Sequence, residues 1–394
     1  MKLSVALLIL TLSSIACDQG FDSLINNTSD DISDNGEEQS IIKDYRKYVV
    51  DESITSITQI KLNDSFDNPW AIEFLNDDLV VVTEKNGTLS LVNLQLGTVT
   101  SINHEIPSVQ YGQGGLLDVV KHEDYLYVSF AMMNDEKKVT TAIGRGLFID
   151  PFKELQDFEL LFTALPFFSD SKHFGSRIVI KNDYLFASIG ERGQGSISQD
   201  LKSHAGSIIR INLDGSVPQN PYSDGADSLS EIFQIGVRNP QGMAISSNGD
   251  MFISNHGAKG GDFIGLITPG GNYGWDEIGW GGKHYIGFKI GKGEPFSNEF
   301  DMPILSWVPS IAPSDIVFYH GDEFPEWNND LLVTSLKFKM LIKLRIEDGK
   351  VADELIILNN KIGRIRDVDV NSKGEIFLIS DEQNSGIWKL NKKS

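Results

Sequence analysis

A histidine, a glycine and an arginine occur within five residues, directly before an apolar run. His173, Gly175 and Arg177 belong to the segment HFGSR, and the run Ile178 to Ile180 follows it. A neutral imidazole can accept a proton at neutral pH, so His173 is a candidate general base for the removal of a hydroxyl proton. Gly175 would let the backbone pass close to a ligand. A single histidine before a strand can equally be structural, so its interpretation depends on the other segments.

A second segment, GVRNPQGMA at 236–244, combines an arginine with a constrained amide. The guanidinium of Arg238 presents a planar fork of donors that suits a carboxylate. Asn239 precedes Pro240, which restricts its backbone and would fix the direction of its side-chain amide. The alternative is a turn between strands that carries a surface ion pair.

A third segment, at 255–274, is rich in glycine and reads NHGAKGGDFIGLITPGGNYG. Its glycines would leave backbone carbonyl oxygens free to point into a site, and calcium takes oxygen ligands from carbonyls, carboxylates and water. The alternative is a glycine-rich loop that binds no ion.

The fourth feature is a group of cations near the end of an acidic chain, which has 34 Lys and Arg, 55 Asp and Glu, and a net charge of -21. These cations are Lys337, Arg364 and Arg366. Arg364 and Arg366 would lie on the same side of an extended strand, because side chains alternate along a strand. A compact ligand with several carboxylates would satisfy them, and salt bridges to nearby acidic residues are the alternative. The net charge argues against nucleic acid as a partner and against an electrostatic membrane patch.

The elements that must position these residues recur along the chain. Six similar runs each follow an acidic residue, at DLVVVTE (78), DYLYVSF (124), DYLFASIG (183), DMFISNHG (250), DLLVTSL (330) and EIFLISDE (375). Another strand candidate precedes each run and a third follows it. Six units of short strands predict an all-β fold, a six-bladed β-propeller of four-stranded antiparallel blades whose loops form a shared site at one end of the channel. The stretch 41–60 and the tail near Trp388 are candidates for closing the ring. A large β-sandwich or a β-helix would explain the recurrence less well.

Seven segments together resemble one family, the soluble aldose sugar dehydrogenases that depend on pyrroloquinoline quinone (PQQ), also called the glucose/sorbosone dehydrogenase family. In chain order the segments are GQGGLLDVV (112–120), HFGSR (173–177), QDLKSHAGSIIRINLDGS (199–216), EIFQIGVRNPQGMA (231–244), GGNYGW (270–275), WVPSIAPS (307–314) and GRIRDV (363–368). The resemblance extends over nearly all of residues 65–390. It implies a six-bladed propeller with PQQ and calcium in a cleft at one end.

The resemblance also implies a role for each matching residue. His173 would be the base at the anomeric hydroxyl of an aldose, and Arg238 would stabilise the charge that grows on the reacting carbonyl of PQQ. The sugar would be oxidised at C1 to a lactone, and the electrons would leave to an external acceptor, a quinone or a cytochrome. The residues implied in holding PQQ are Gln113, Arg238, Asn239, His256, Ser310, Lys337, Arg364 and Arg366. Gly257 and Ala258 would offer backbone oxygens to the calcium.

The chain departs from the family pattern at three positions. Ala258 stands where members commonly have proline, which leaves a backbone oxygen ligand possible. Phe263 stands where members commonly have glutamate, which puts a second, structural calcium at Asp262 and Tyr273 in doubt. Lys172 replaces an acidic residue of some members, so His173 would need a different partner to orient it.

The N-terminal stretch predicts export and anchoring. Residues 1–16 have one lysine, a short apolar run and small residues, which is typical of a signal peptide and too short to span a bilayer. Cys17, the only cysteine, follows as in a bacterial lipobox, so we expect lipidation, with ordinary cleavage and an unused thiol as the alternative. Residues 17–50 are acidic and predict a flexible tether, and 51–394 the catalytic propeller. The expected protein is an exported, lipid-anchored bacterial protein that meets the membrane only through its anchor.

Two other functions remain open at this stage. A calcium-dependent propeller hydrolase such as a lactonase would need a metal held by several carboxylates and no cation cluster for a tricarboxylate. A non-catalytic propeller that binds glycans or a protein would be expected to lose the base or the cations, and this chain keeps both.

Overall fold

Short strands joined by tight turns make up most of the described chain. The structure is a computed structural model, and it describes residues 41–225 and 227–393. Within these residues the only helices are three short 3-10 helices, at Tyr45–Lys47, Gly195–Gln199 and Pro325–Trp327. The predicted signal peptide, Cys17 and most of the predicted tether lie outside the described residues.

Twenty-six strands form six sheets, each built around four antiparallel strands. Blade 1 contains β4 (Pro69–Asn76), β5 (Leu79–Glu84), β6 (Leu89–Asn93) and β7 (Thr98–Ser101); blade 2 contains β8 (Leu116–His122), β9 (Tyr125–Met133), β10 (Val139–Leu147) and β11 (Gln156–Thr163); blade 3 contains β12 (Gly175–Lys181), β13 (Tyr184–Ile189), β14 (Ser207–Asn212) and β15 (Ile232–Ile235). Blade 4 contains β16 (Pro240–Ile245), β17 (Met251–Asn255), β18 (Asp262–Leu266) and β19 (Leu305–Trp307); blade 5 contains β20 (Pro313–Phe318), β21 (Leu331–Ser335), β22 (Met340–Glu347) and β23 (Lys350–Asn359); blade 6 contains β24 (Ile365–Val370), β25 (Ile376–Ser380), β26 (Ile387–Lys392) and β3 (Thr55–Gln59).

The six sheets close into a ring, so the predicted six-bladed propeller is confirmed. The first strands of successive blades contact one another in order, and β24 contacts β4 to close the circle. Hydrogen bonds between the two ends of the propeller also close the ring, because the early strand β3 completes the last blade and Gln59 pairs with Trp388 of β26. The first strands therefore line the central channel.

Local sequence explains why the blades form. Three of the acidic residues that recur before the second strands, Asp78, Asp124 and Asp183, lie in two-residue hairpin turns. In the last of these turns Asn182 and Asp183 have φ of 49° and 62°, as the short turns of twisted hairpins require. The second strands are covered on both faces and read as apolar runs, with Val80 to Val82 fully buried. Six apolar clusters each lie between two neighbouring blades, so burial of apolar surface holds the ring together.

Residues 41–50 correct the predicted end of the tether. Two short strands there, β1 (Ile42–Lys43) and β2 (Val49–Val50), pair in parallel with the edges of blades 4 and 5. Tyr48 between them is buried and its hydroxyl accepts a hydrogen bond from Nε1 of Trp307. Within the described residues, 41–50 therefore pack against the propeller, where the sequence predicts the end of the tether. No helix in the described part of the chain is long and apolar enough to cross a membrane.

A long insertion in blade 4 reaches the mouth of the channel. Residues 267–304 separate β18 from β19, and Asn272 pairs with Ile235 at the end of blade 3. The backbone N–H of Trp275 then donates to the carbonyl of Gly236, 2.9 Å away. This path brings the segment GGNYGW next to VRNP, although about thirty residues separate the two segments in the sequence.

Candidate active site

One cleft, of about 210 Å³, collects most of the predicted site residues at one end of the channel. Its walls come from the starts of the first strands and the ends of the second strands, because antiparallel neighbours bring those two ends together. Seven predicted residues line it: Gln113, His173, Arg238, Asn239, His256, Arg364 and Arg366. Lining residues that the sequence did not predict include Trp70, Lys85, Gln241, Tyr285 and Asp381.

His173 is held in a defined orientation just before β12. It is buried, and its φ of 56° lies in the left-handed region, so surrounding contacts must hold its backbone. The side-chain oxygen of Gln113 accepts its backbone N–H at 2.8 Å. Its Nδ1 lies 2.8 Å from Oε1 of Glu191. Since a carboxylate only accepts, Nδ1 carries the proton and Nε2 has a free lone pair. Burial lowers the pKa of His173 below its usual value, so the ring is neutral at neutral pH.

Glu191 orients the ring of His173, a role for which Lys172 is unsuited. The sequence did not reveal this residue. It is the second residue after β13 and is buried. Its Oε2 accepts the backbone N–H groups of Gly193 and Gln194. Its Oε1 also lies 3.7 Å from Nε of Arg238. One carboxylate therefore positions both predicted catalytic side chains.

Arg238 and Asn239 are fixed through a second unpredicted residue, Asn255. Its side-chain oxygen accepts both of their backbone N–H groups, at 3.1 Å and 3.0 Å. The guanidinium of Arg238 lies 5.3 Å from the ring of Trp275, which the blade 4 insertion supplies. The side-chain oxygen of Asn239 accepts the N–H of Gly175, so its amide N–H₂ is the group left for the cleft. The segments VRNP and HFGSR are thereby joined.

A cluster of cations forms another wall of the cleft. Lys85, Arg364 and Arg366 surround Asp381, with their nearest nitrogen atoms at 2.7, 3.6 and 3.1 Å from its oxygens. Burial alone would raise the pKa of Asp381, but these cations lower it below its usual value. Three cations facing one carboxylate leave an excess of positive charge. Nε of the buried Arg366 has no hydrogen-bond partner among the described residues. This wall is suited to an anionic ligand.

The proposed calcium ligands have free backbone oxygens. Gly257 and Ala258 are buried after β17, and neither carbonyl oxygen accepts a hydrogen bond from a described residue. The neighbouring His256 lines the cleft and its Nε2 lies 2.6 Å from the carbonyl of Pro313, to which it donates. Burial, reinforced by Arg238, lowers the pKa of His256 to about 3. Unpaired buried carbonyls are the donors that calcium takes, so these two residues fit the ion.

Asp262 and Tyr273 do not come together as a second calcium site. The buried carboxylate of Asp262 already accepts four hydrogen bonds, from the N–H groups of Gly257, Ile311 and Ala312 and the hydroxyl of Ser310. The hydroxyl of Tyr273 donates to the carbonyl of Leu266, at the other end of β18, and its ring lies 4.6 Å from that of Phe263. Asp262 instead organises the loop at 310–312, and Tyr273 packs in the core.

Ser310 and Lys337 are near the cleft but do not line it. The hydroxyl of Ser310 donates to Asp262 at 2.7 Å. The ammonium of Lys337 donates to the carbonyl of Ser310 at 3.3 Å and lies 5.0 Å from the ring of Phe338. Their side chains would have to reorient to reach a ligand, so their predicted role stays a prediction.

Arg177 of HFGSR lies below the cleft and joins blades. Its guanidinium contacts Asp118, Asp315 and Asp367 at 2.9, 3.3 and 2.7 Å. These residues belong to the first strands of blades 2, 5 and 6, whereas Arg177 belongs to β12 of blade 3. Burial raises the pKa of Asp118 to about 7, even though the charge of Arg177 opposes this shift. This network supports the floor of the cleft and holds four blades together.

Comparisons with known proteins establish the family. The model of the Glucose / Sorbosone dehydrogenase family matches residues 66–389. The chain belongs to this family. The aldose sugar dehydrogenase YliI of Escherichia coli is 35% identical over 341 residues, which cover 84% of this chain and 91% of that protein. The quinoprotein glucose dehydrogenase B of Acinetobacter calcoaceticus is 26% identical over 412 residues, covering 82% and 85%.

A solved structure of another family member has the same fold. The soluble aldose sugar dehydrogenase of Escherichia coli, in its apo form, superimposes with a TM-score of 0.80 at 31% identity, and the match covers 86% of this chain and all of that one. The resemblance inferred from the motifs is confirmed. The family assignment also agrees with the cleft, where the matching motifs meet.

Proposed function

We propose that this member of the glucose/sorbosone dehydrogenase family oxidises aldose sugars at C1 to the lactone, with PQQ as its cofactor. The observation that carries this proposal is the placement of His173, which lines the cleft with Nδ1 bonded to Glu191 and with no described residue bonded to Nε2. That arrangement is a base ready to take a hydroxyl proton. The oxidoreductase class agrees with the relatives, which are named as dehydrogenases.

The described residues fit PQQ, a compact tricarboxylate. Arg364 and Arg366 would meet its carboxylates, and the unpartnered Nε of Arg366 is a donor that such a ligand would satisfy. The other groups that would hold it are Gln113, Asn239 and His256 in the cleft and, after reorientation, Ser310 and Lys337. When bound, PQQ supplies the quinone that takes up hydride, chemistry that no side chain provides.

The chain itself supplies the proton transfer and the charge. Nε2 of His173 takes the proton of the anomeric hydroxyl, and the carboxylate of Glu191 stabilises the imidazolium that results. The guanidinium of Arg238 lies beside the same carboxylate, so a fixed cation is available to stabilise negative charge in the cleft. Both groups are buried, which strengthens their electrostatic effect.

Calcium bound by the carbonyls of Gly257 and Ala258 is part of the proposal. Since two neutral oxygens supply no charge, we expect the charge of the ion to be balanced by bound PQQ. The holoenzyme should then retain calcium tightly and the apoprotein weakly. Titration calorimetry of both forms tests this, and equal affinity would contradict it.

The two alternative functions are not favoured. A lactonase of the calcium-propeller kind needs a carboxylate-rich metal site, and no group of three or more His, Cys, Asp or Glu side chains is placed to hold a metal within residues 41–225 and 227–393. A non-catalytic propeller would not need the pairing of His173 with Glu191. Family membership also favours the oxidoreductase.

Export and lipidation of Cys17 remain part of the proposal, as does electron transfer to an external quinone or cytochrome. Two or more acyl chains give stable anchoring, whereas one is marginal. Intact-mass measurement of protein extracted from membranes tests the anchor. An N-terminus beyond residue 17, or an unmodified Cys17, would contradict it.

Reconstitution tests the function itself. Apoprotein is supplied with PQQ and calcium, and reduction of an artificial dye is followed with a panel of aldoses and with a methyl glycoside that lacks a free C1 hydroxyl. Aldoses should support reduction and the glycoside should not. His173→Gln should bind PQQ normally but turn over roughly 10²–10⁴-fold more slowly, the range of general-base catalysis. Near-normal turnover of this variant would place the base elsewhere.

A further inference from the structure

A small hairpin stands at the mouth of the cleft, at the tip of the blade 4 insertion. We call residues 283–289, KHYIGFK, the mouth loop. Lys283 and Lys289 pair across its base. The N–H of His284 donates to the carbonyl of Phe288, and the N–H of Gly287 donates to that of His284, both at 2.8 Å. The loop is therefore a defined hairpin.

Three large apolar side chains project from the mouth loop. Tyr285, Ile286 and Phe288 are 69%, 80% and 68% exposed. A β-carbon added to Gly287 would meet nothing within 4 Å, so the tip extends into open space. Such a concentration of exposed apolar side chains marks an interaction surface, whereas single exposed residues need no explanation.

The mouth loop and the residues next to it form a cationic patch on an acidic protein. Residues 278–293 contain Lys283, Lys289 and Lys292 and no acidic residue, in a chain with 55 Asp and Glu. The exposed Lys259 adjoins them, because its N–H donates to the carbonyl of Lys283 at 2.8 Å. No carboxylate elsewhere in the described chain forms a salt bridge with Lys259, Lys283 or Lys289. An anionic partner can approach here although the net charge of -21 repels it from most of the surface.

The mouth loop is continuous with the catalytic groups. Tyr285 lines the same cleft as His173 and Arg238. The ring of His284 lies 6.4 Å from that of Trp275, and Trp275 in turn lies under Arg238. A protein seated on the loop would cover the opening of the cofactor cleft. That is where electrons must leave, since electron transfer weakens steeply with distance.

We propose that the mouth loop is the docking surface for a one-electron haem protein whose docking face is acidic. This proposal rests on the proposed function. It adds where the electron acceptor docks and which chemical class it belongs to. Oxidation of one C1 hydroxyl to a lactone yields two electrons and two protons. Two haem irons in succession take one electron each, and the protons pass to water. A partner protein covers only this patch, whereas an anionic membrane would face the acidic remainder of the molecule.

The test compares two forms of one acceptor. Mitochondrial cytochrome c is basic, and the same protein with its lysines succinylated is acidic. Reconstituted full-length enzyme is assayed with each form, and with an artificial dye, at low ionic strength. The variants are Lys283→Glu/Lys289→Glu and Ile286→Ser in the loop, and Lys61→Glu/Lys153→Glu, a matched charge change at two exposed lysines outside blade 4.

Wild type should reduce the succinylated form, and loop charge reversal should slow that reaction about tenfold because steering and docking are electrostatic. Ile286→Ser should slow it through lost apolar contact. Dye reduction should stay unchanged in all variants, and the matched control should behave as wild type. Absence of dye reduction in wild type would refute the proposed function instead.

Three results would overturn the docking proposal. One is a loop-reversed enzyme that reduces the succinylated form as fast as the matched control. Another is a wild type that reduces dye but not the succinylated form. The third is evidence that something else occupies the loop. Such evidence would be dimerisation seen in sedimentation, or binding to phosphatidylglycerol vesicles, if loop charge reversal abolishes it.

Discussion

The carboxylate of Glu191 lies 2.8 Å from Nδ1 of His173. In Glu191→Gln the amide oxygen can still accept the Nδ1 proton, but the negative charge that stabilises the imidazolium is lost. We expect turnover to fall roughly 10- to 100-fold, within the range of general-base effects, while the affinity for PQQ changes little. Stopped-flow turnover at saturating PQQ, together with a PQQ titration, measures both. Unchanged turnover would show that Glu191 only supports the loop.

The pKa of His173 predicts the pH dependence of the reaction. Burial lowers this pKa below 6.5, and only the neutral ring can accept a proton. The decline of kcat/KM at low pH should therefore be centred below 6.5. In Glu191→Gln the decline should begin at still lower pH, because the carboxylate raises the pKa of His173. A wild-type decline centred at or above 6.5 would contradict the assignment.

The recurring acidic residue and apolar run predicted the propeller because each blade repeats one hairpin. The sequence could also place His173, Arg238 and Arg366, which occur where the first strands begin. It could not reveal Lys85, Glu191 or Asp381, which lie one or two residues after the second strands. Each is an ordinary charged residue after a strand, and only pairing with the first strand brings it into the cleft. In a propeller, a charged residue just after a second strand is therefore a candidate site residue.

Two predictions differ from the structure for another reason: the metal role of Asp262 and the end of the tether. The family resemblance makes Asp262 a doubtful ligand of a second calcium, but Ser310 and the loop after it use its oxygens. The acidic stretch before residues 42–50 predicts that they belong to the tether. Their pairing with β19 and β23 involves residues more than 250 positions away, which local composition does not show.

Arg364 should separate cofactor binding from chemistry. Its side chain is 44% exposed and shares Asp381 with Arg366 and Lys85, so its loss leaves His173 and Glu191 untouched. We expect Arg364→Ala to weaken PQQ binding about tenfold or more, with turnover preserved at saturating PQQ. Arg345→Ala is the matched control, since that arginine is 42% exposed and pairs with Asp330 on blade 5. Equal PQQ affinity in the two variants would remove Arg364 from the cofactor site.

Arg192 holds the backbone around His173 from both sides. Its Nη1 and Nη2 donate to the carbonyls of Lys172 and Asp170 at 2.7 and 2.6 Å, and its guanidinium lies 3.4 Å from the centre of the Phe174 ring. These contacts over-determine a histidine with φ of 56°, a conformation that costs free energy unless its surroundings hold it. Arg192 is therefore a positioning residue that does not itself touch the reacting atoms.

Arg192→Lys tests this role, because an ammonium cannot bond both carbonyls in the same fork and stack on the ring. We expect turnover to fall about tenfold through misplacement of the base, with the acid limb of kcat/KM moving up toward 6.5 as His173 becomes more hydrated. The matched control is Arg210→Lys, where the guanidinium lies 4.8 Å from the ring of Tyr184 and also donates to a backbone carbonyl, but away from the cleft. Both variants should lose thermal stability. If Arg192→Lys loses stability but keeps the wild-type pH profile and turnover, Arg192 serves only the fold.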